Sequence, residues 1–239
     1  MLLKTKGRVL DLNIEAQPDD VTCGPTCLHA VYNYYGDDQG LSEVIEEVKQ
    51  LPTGGTLAVQ LANHALLKGY NATIYTYNLH TFDPSWFINK ADVKERLLLQ
   101  MEAKAYDTKL VQATKAYIKF LENGGTLQFE ELTPALIKNH LSDGTPILTG
   151  LSATYLYESA REIGEDTIEY DDINGLPTGH FVVVNGFDEE NGVAFVADPL
   201  DKNPISTKQY YKVGFQKLIN AILLGVMTYD ANLLIIYPK

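Results

Sequence analysis

Residues 17–27, Gln-Pro-Asp-Asp-Val-Thr-Cys-Gly-Pro-Thr-Cys, lead into a run of apolar side chains at helical spacing that ends before Gly36. Apolar residues three and four positions apart share one face of a helix, so we predict a helix here that stops at Gly36. Thr22 or Asp20 can cap its start. Cys23 then lies at the helix N-terminus, where the partial positive charge favours the thiolate, the nucleophilic form of cysteine.

A side-chain amide precedes this cysteine. Gln17 lies six residues before Cys23, so its amide can point back towards the sulfur, where acyl-transfer chemistry needs a donor for the developing oxyanion. Negative charge at Asp19 and Asp20 would oppose a thiolate unless these side chains face solvent or cap the helix. Cys27 lies one turn further along the same helix face, and we predict that it packs in the core.

Two apolar strands are predicted late in the chain, at residues 181–187 and 193–197, around a turn centred near Glu190. Antiparallel pairing about this turn places His180 close to Asp198. If the two pair directly, their side chains share a face of the sheet and their Cβ atoms lie ~5 Å apart. A carboxylate at that distance holds an imidazole in one tautomer and stabilises its protonated form. We therefore predict that they act as the base and its orienting acid for a cysteine nucleophile.

The composition excludes several classes of protein. The chain has 239 residues, of which 45% are hydrophobic, and a formal net charge of −12. Nucleic acids and anionic membranes bind clustered Lys and Arg, so we expect neither as a partner. Two cysteines make neither a disulfide framework nor a zinc site, and we expect no metal and no cofactor. The N-terminus lacks the apolar core of a signal peptide and no run has the length of a membrane span, so we expect a cytoplasmic protein.

The remaining patterns predict an α+β fold, because helical segments come mostly first and strands mostly last. We treat residues 1–239 as a single domain. The other predicted strands are 8–14, 71–77, 126–129, 145–151, 208–213 and 232–237, and the other predicted helices outside 84–125 are 42–49, 57–68, one between Thr133 and Gly144, and 215–224. Residues 52–56 are predicted to form a flexible turn before the third helix.

Two segments differ in character from the rest. Residues 84–125 contain two strong helical patterns, 91–106 and 109–123, which we interpret as a helical hairpin inserted in the domain and anchored by Trp86. Residues 158–178 are acidic and rich in turn formers. They predict a mobile loop or loose hairpin beside the site, although a plain solvated surface loop fits the pattern equally well.

The order Gln, Cys, His, Asp resembles that of the papain-like cysteine peptidases. Within that class the chain most resembles the bacterial double-glycine leader peptidases, best known as the N-terminal domain of bacteriocin-exporting ABC transporters. The resemblance implies an N-terminal helical part that carries the cysteine and a C-terminal antiparallel sheet that carries the histidine and aspartate. It does not extend to the helical hairpin. The matching residues are Gln17, Cys23-Gly24-Pro25-Thr26-Cys27, Gly144-Thr145-Pro146-Ile147, Gly179-His180-Phe181-Val182-Val183-Val184 and Asp198-Pro199.

Carried over residue by residue, the resemblance implies that Cys23 is the nucleophile and His180 the base and then the acid. Asp198 would orient His180, and Gln17 with the backbone N–H of Cys23 would form the oxyanion hole. The implied activity is hydrolysis of a peptide or amide bond through a thioester acyl-enzyme. The implied substrate is a peptide or protein with glycine near the scissile bond.

Two other functions fit the same residues. An acyltransferase would use the same triad and pass the acyl group to an amine in place of water. A catalytically silent peptide-binding module would keep the fold without the chemistry, and an intact set of four residues argues against it. The four other histidines have no partners in the sequence patterns and are expected to be structural or surface residues: His29, His64, His80 and His140.

Overall fold

The computed structural model describes residues 6–51, 54–164 and 169–239. Eight strands of the described part form one sheet: β1 (Gly7–Val9), β2 (Asn71–Thr76), β3 (Thr126–Gln128), β4 (Ile147–Ser152), β7 (Gly179–Asp188), β8 (Val193–Ala197), β9 (Tyr210–Gly214) and β10 (Asn232–Tyr237). Their order is β3-β2-β10-β4-β7-β8-β9, with β1 added beside the end of β7. All of these pairs are antiparallel except β2 with β3.

Helices cover both faces of this sheet. They are α1 (Cys23–Tyr34), α2 (Leu41–Glu47), α3 (Ala58–Leu67), α4 (Pro84–Ile88), α5 (Val93–Ala103), α6 (Thr108–Glu122), α7 (Pro134–Ser142), α8 (Ala153–Tyr157) and α9 (Phe215–Leu224), and a 3-10 helix follows at Gly225–Thr228. One hydrophobic cluster lies between the sheet and α1, α3 and α6, and a second lies between the sheet and α7, α8 and α9. No helix in the described ranges is both long and apolar enough to cross a membrane.

The strand β7 is apolar from Phe181 to Val184 because both of its faces are covered there. Phe181 and Val183 belong to the first cluster, and Val182 and Val184 belong to the second. Successive side chains of a strand point to opposite faces, so a strand between two helical layers needs apolar residues at every position. This explains why residues that carry chemistry occur only at the ends of the hairpin.

Most predicted elements are confirmed to within a few residues, and Thr133 caps α7 as expected, with its hydroxyl oxygen 3.2 Å from the Leu136 N–H. The predicted cap of α1 is wrong. Thr22 occupies the cap position, but its side chain caps nothing and its hydroxyl instead donates to the Asp19 carbonyl at 3.3 Å. The Asp19 carboxylate accepts from the Val21 N–H at 3.0 Å, so a local turn supports the start of the helix.

Other differences concern where the strands lie in the chain. The predicted strand over 8–14 is short, because only Gly7–Val9 pairs with β7. Beyond it Leu10, Leu12 and Ile14 are buried in the core without a ladder. The sheet also draws β1 and β2 from the first half of the chain and β3 from its middle, so it is not confined to the C-terminal part. The short helices α4 and α8 were not predicted, since five residues give too little periodicity to recognise.

The two segments of distinct character form as expected in the described ranges. The helices α5 and α6 form the predicted hairpin, which packs on α3, and the partly buried Trp86 contacts the first cluster. That this hairpin is an insertion, and that the chain is one domain, stay predictions. In the acidic segment two short strands pair as a hairpin, β5 (Glu162–Ile163) with β6 (Glu169–Tyr170). Residues 52–53 of the predicted turn and 165–168 of this segment lie outside the described residues.

Candidate active site

The helix α1 begins at Cys23 and separates the two cysteines by one turn. Cys23 is partly exposed, whereas Cys27 is fully buried and its thiol lies 3.3 Å from the Phe181 carbonyl oxygen. Burial, followed by the negative charges of Cys23 and Asp198, raises the pKa of Cys27 well above its usual range. Cys27 is therefore a core residue, as predicted, and Cys23 is the accessible thiol.

His180 and Asp198 form a buried pair at the open end of the β7–β8 hairpin. His180 Nε2 lies 2.8 Å from Asp198 Oδ1, and the two residues are 7% and 0% exposed. The predicted proximity is confirmed, but the two residues are not direct cross-strand partners. The ladder ends with Val183 opposite Ala197, so Asp198 comes opposite Val182, two residues from His180.

A β-bulge decides that these two side chains share a face. Near the turn Gly186 pairs with Phe195, but beyond Asn185 the register shifts and Val184 pairs with Val196. Without this extra residue in β7, the ladder would place Asp198 opposite Val183, on the other face from His180. A slip of one residue moves every side chain of a strand to the opposite face. The bulge thus keeps the carboxylate within reach of the imidazole.

The ionisation of His180 follows from these contacts. Burial by itself would lower the pKa of His180, but attraction to Asp198, the hydrogen bond with Asp198 and interaction with Cys23 outweigh it and raise the pKa to about 10. Interaction with Cys23 is among the causes that raise the pKa of the ring, and Asp198 occupies Nε2. Nδ1 is therefore the ring nitrogen that remains for the sulfur. The arrangement favours an imidazolium next to the Cys23 thiol.

Asp198 is held by three donors besides His180. The hydroxyl groups of Tyr157 and Tyr211 donate to its Oδ2 at 2.7 and 2.8 Å, and the Leu200 N–H donates to its Oδ1 at 2.9 Å. Burial by itself would raise the pKa of Asp198, but the interactions with His180, followed by those with Leu200 and Tyr157, hold it below the usual range. Donors that bind the charged form keep a buried carboxylate ionised.

Neither tyrosine was predicted to belong to the site. Tyr157 ends α8, the short helix that the sequence patterns did not show, and its ring lies 6.0 Å from that of His180. Tyr211 pairs with Val196 across β8–β9, so it lies two strand positions from Asp198 on the same face. The sequence could have pointed to Tyr211, because a tyrosine hydroxyl next to a buried carboxylate gives both groups a hydrogen-bond partner.

The structure places Gln17 beside the Asp198 turn. Its backbone N–H donates to the Pro199 carbonyl at 2.9 Å. Its side-chain nitrogen donates to the Asp19 carbonyl at 2.7 Å, while its buried side-chain oxygen has no hydrogen-bond partner among the described residues. One N–H of this amide is thus engaged in holding the loop before α1, and the second is the donor left for a ligand. The sequence had suggested that this amide points back towards the sulfur. In the structure, part of its donor capacity is used by the Asp19 carbonyl.

The loop before α1 carries two acidic residues that face solvent. Asp19 and Asp20 are both exposed, and solvent exposure is one of the two arrangements that leave a thiolate unopposed. Burial, followed by the charge of Glu162 and then of Asp20, raises the pKa of Tyr170 in β6. That residues 158–178 lie beside the site stays a prediction.

The remaining histidines have structural contacts. His64 is buried and bonded on both nitrogens, to the Tyr32 hydroxyl at 2.8 Å and to Glu47 at 2.9 Å, as expected of a structural histidine. His80 stacks on Tyr229, and His140 packs edge-on against Tyr75. Within the described ranges, no three His, Cys, Asp or Glu side chains are grouped so that they could hold a metal ion.

Comparison with known proteins finds two solved structures with a similar fold. Over 98% of both chains, the fold is similar to a crystal structure described as that of a C39-like peptidase from Bacillus anthracis, with a TM-score of 0.54 and 14% identity. A double glycine motif protease from an AMS/PCAT transporter, in complex with the leader peptide, is similar at 15% identity and a TM-score of 0.46, over 97% of this chain and 94% of that chain. Comparison with curated proteins finds no significant match.

The first of these likenesses shows the fold, an α+β papain-like peptidase architecture built on a large sheet. The sequence matches the model of the Peptidase_C39 like family over residues 9–222, which include both cysteines, His180 and Asp198. Because this match spans most of the 239 residues, the chain belongs to the Peptidase_C39 like family.

Proposed function

We propose that this protein cleaves a peptide or amide bond through a thioester acyl-enzyme formed on Cys23. Its family and its fold support a cysteine peptidase function. The observation that carries the finer proposal is the buried His180–Asp198 pair, whose histidine interacts with Cys23 at the start of α1. A nucleophile, a base within hydrogen-bond reach and a third group that orients the base are the features of covalent catalysis.

The first half of the reaction starts from the ion pair in which His180 Nδ1 holds the proton that the Cys23 thiol has given up. The thiolate attacks the substrate carbonyl carbon, and the carbonyl oxygen becomes an oxyanion. The backbone N–H of Cys23 and the second side-chain N–H of Gln17 donate to this oxyanion, which they stabilise most in the transition state. The imidazolium then gives its proton to the leaving nitrogen as the C–N bond breaks, which leaves the acyl thioester.

The second half releases the acyl group. His180 takes a proton from water, the resulting hydroxide attacks the thioester carbonyl, and the C–S bond breaks with return of the proton to the sulfur. Asp198 stays ionised throughout, because His180, Tyr157, Tyr211 and the Leu200 N–H all stabilise its charge. Its role is to keep Nε2 protonated and the ring oriented so that Nδ1 exchanges the proton.

The proposed substrate is a peptide or protein with glycine near the scissile bond. The support is the resemblance of the segments around Cys23, His180 and Asp198 to those of the double-glycine leader peptidases. We place the protein in the cytoplasm, where its two free thiols stay reduced.

The decisive experiment combines an electrophilic probe for thiolates with a library of peptides that vary at the residues flanking glycine. Wild-type protein is expected to be labelled at Cys23 and to cleave glycine-containing members, whereas Cys23→Ser should do neither. Adding amines to the same assay distinguishes hydrolysis from acyl transfer, because a transferase would form amide products in preference to acids. Peptide binding without labelling or cleavage would indicate a silent binding module and overturn the proposal.

A further inference from the structure

Residues 12–16 lead to Gln17 without a strand ladder, since they belong to no strand of the described part of the sheet. A backbone outside a ladder needs other hydrogen-bond partners for its polar groups. The Tyr210 hydroxyl supplies two of them, because it accepts from the Ile14 N–H at 2.9 Å and donates to the Leu12 carbonyl at 3.2 Å. A side chain at the start of β9 therefore holds the first half of this segment.

Gln209, the residue directly before β9, holds the second half of the segment. Its side-chain nitrogen donates to the Glu15 carbonyl at 2.9 Å and to the Asp198 carbonyl at 3.3 Å, and it lies 3.5 Å from the Pro199 carbonyl. An amide group has two N–H donors, so it can serve two carbonyls at once. One side chain thus joins the segment that leads to Gln17 with the turn that carries Asp198.

Two backbone hydrogen bonds complete this junction. The Asp198 N–H donates to the Gln209 carbonyl at 2.8 Å, and the Gln17 N–H donates to the Pro199 carbonyl at 2.9 Å. Gln209 is therefore bound to the Asp198 turn through both its main chain and its side chain. The junction brings together two residues of the proposed site, the oxyanion donor Gln17 and the acid that orients His180.

A buried asparagine fixes the loop between Asp198 and Gln209. Asn203 is 5% exposed, and its side-chain nitrogen donates to the Leu200 and Lys208 carbonyls, both at 3.2 Å. The two ends of the loop are thus held by one side chain, which returns the chain to the Asp198 turn. The place of the Gln209 amide is therefore defined by the fold of this loop.

We propose that Gln209 is a positioning residue, which ties the segment before Gln17 to the Asp198 turn and so sets the place of the oxyanion donor. This inference rests on the proposed function, because the place of Gln17 matters only if its amide binds the oxyanion. Gln209 acts through Gln17 and not on the substrate itself. An oxyanion donor stabilises the transition state only when its N–H points to where the charge develops, so a loose segment would weaken it.

Replacing Gln209 by alanine removes the side-chain hydrogen bonds and keeps the backbone bond to Asp198. A catalytic group misplaced by ~1 Å can cost ~10²-fold in rate, and a loosened segment should cost part of this, so we expect kcat to fall roughly tenfold. KM should stay unchanged, because the oxyanion exists only in the transition state and the intermediate. The rate of Cys23 alkylation should also stay unchanged, since alkylation needs the thiolate and not the oxyanion hole.

A double-mutant cycle distinguishes positioning from general support of the fold. In a Gln17→Ala background, Gln209→Ala should lower kcat no further, because no donor remains to be positioned, whereas a purely structural role would lower it by the same factor in both backgrounds. Gln209→Asn keeps an amide on a shorter side chain and should retain part of the rate. Gln216→Ala is the matched control, since the exposed Gln216 amide bonds to Asn220 within α9 at 2.9 Å, and it should leave kcat unchanged.

The possible outcomes separate this inference from the proposed function. Unchanged kcat in Gln209→Ala, or equal losses in the two backgrounds, would overturn the inference and leave the peptidase proposal standing. If the wild type cleaves no peptide, the proposed function fails, and hydrogen exchange of the Gln17 N–H then tests whether Gln209 holds the segment. Exchange should be several times faster in Gln209→Ala than in wild type, and equal rates would overturn the inference. Should Gln209→Ala fail to fold, Gln209→Asn serves for the same comparisons.

Discussion

His180 and Asp198 lie on one face of the sheet although an uninterrupted β7–β8 ladder would place them on opposite faces. The extra residue of the bulge, Asn185, returns Asp198 to the face of His180. The N-terminal arm that contains Leu10 holds Asn185 in place. The Leu10 N–H donates to the Asn185 carbonyl at 2.7 Å, and the Asn185 side chain donates to the Leu10 carbonyl at 3.2 Å. The arm that leads towards Cys23 therefore also stabilises the irregularity that brings base and acid together.

The two cysteines should differ in reactivity. We expect iodoacetamide at neutral pH to modify Cys23 at least ten times faster than Cys27 in the folded protein, because Cys27 is fully buried and its pKa is raised. Mass spectrometry of peptides after timed labelling measures both rates, and urea-unfolded protein serves as the control in which the rates converge. Equal rates in the folded state would contradict the assignment of the nucleophile.

Replacing Gln17 by alanine tests the oxyanion hole. We expect turnover to fall by ~10²-fold, the usual scale for one oxyanion donor, while the rate of Cys23 alkylation stays unchanged. The backbone hydrogen bond to Pro199 does not depend on the side chain, so the loop should keep its course. Normal turnover in Gln17→Ala would mean that the amide only supports the loop through its bond to Asp19.

Neutralising Asp198 should weaken the ion pair. Asp198→Asn keeps the shape but removes the charge next to the imidazolium, so the pH at which Cys23 alkylation reaches half its maximum should rise by about one unit or more. Asp198→Ala also frees the ring to rotate and should lose more peptidase activity than Asp198→Asn. Alkylation profiles that neither substitution moves would count against the triad.

The two tyrosines that bind Asp198 should stabilise the fold. Tyr211→Phe removes one hydrogen bond to a buried carboxylate, and we expect the free energy of unfolding at pH 7 to fall by about 1.5–3 kcal/mol. Urea unfolding measures this change. Tyr106→Phe is the matched control, because Tyr106 is 84% exposed, and it should change stability very little.

The paired histidine makes stability depend on pH. The pKa of His180 in the folded state is about 10 against an ordinary value of 6.5, so its charged form is stabilised by folding. The stability from this pair should be complete below pH ~6.5, provided that Asp198 stays ionised, and should be lost as the pH rises towards 10. The difference in unfolding free energy between wild type and His180→Gln should therefore shrink from pH 6 to pH 10. A constant difference would show that His180 is neutral in the fold.

Local patterns in the sequence determined much of this protein. The start of α1 at Cys23, the cap at Thr133 and the apolar strands of the hairpin depend on periodicity, capping and turn residues, which act over a few neighbouring positions. The separation of Cys27 from Cys23 by one helical turn was also enough to place one thiol in the core. The nearness of His180 to Asp198 followed from counting residues away from a single turn.

Only the tertiary structure decided the features that depend on distant residues. The bulge at Asn185 forms where Leu10, 175 positions away, binds its backbone and side chain. Tyr157 and Tyr211 reach Asp198 from two other elements. No local sequence pattern predicts these long-range contacts. They form only when packing of the two hydrophobic layers fixes the register of the sheet and the position of each helix on it.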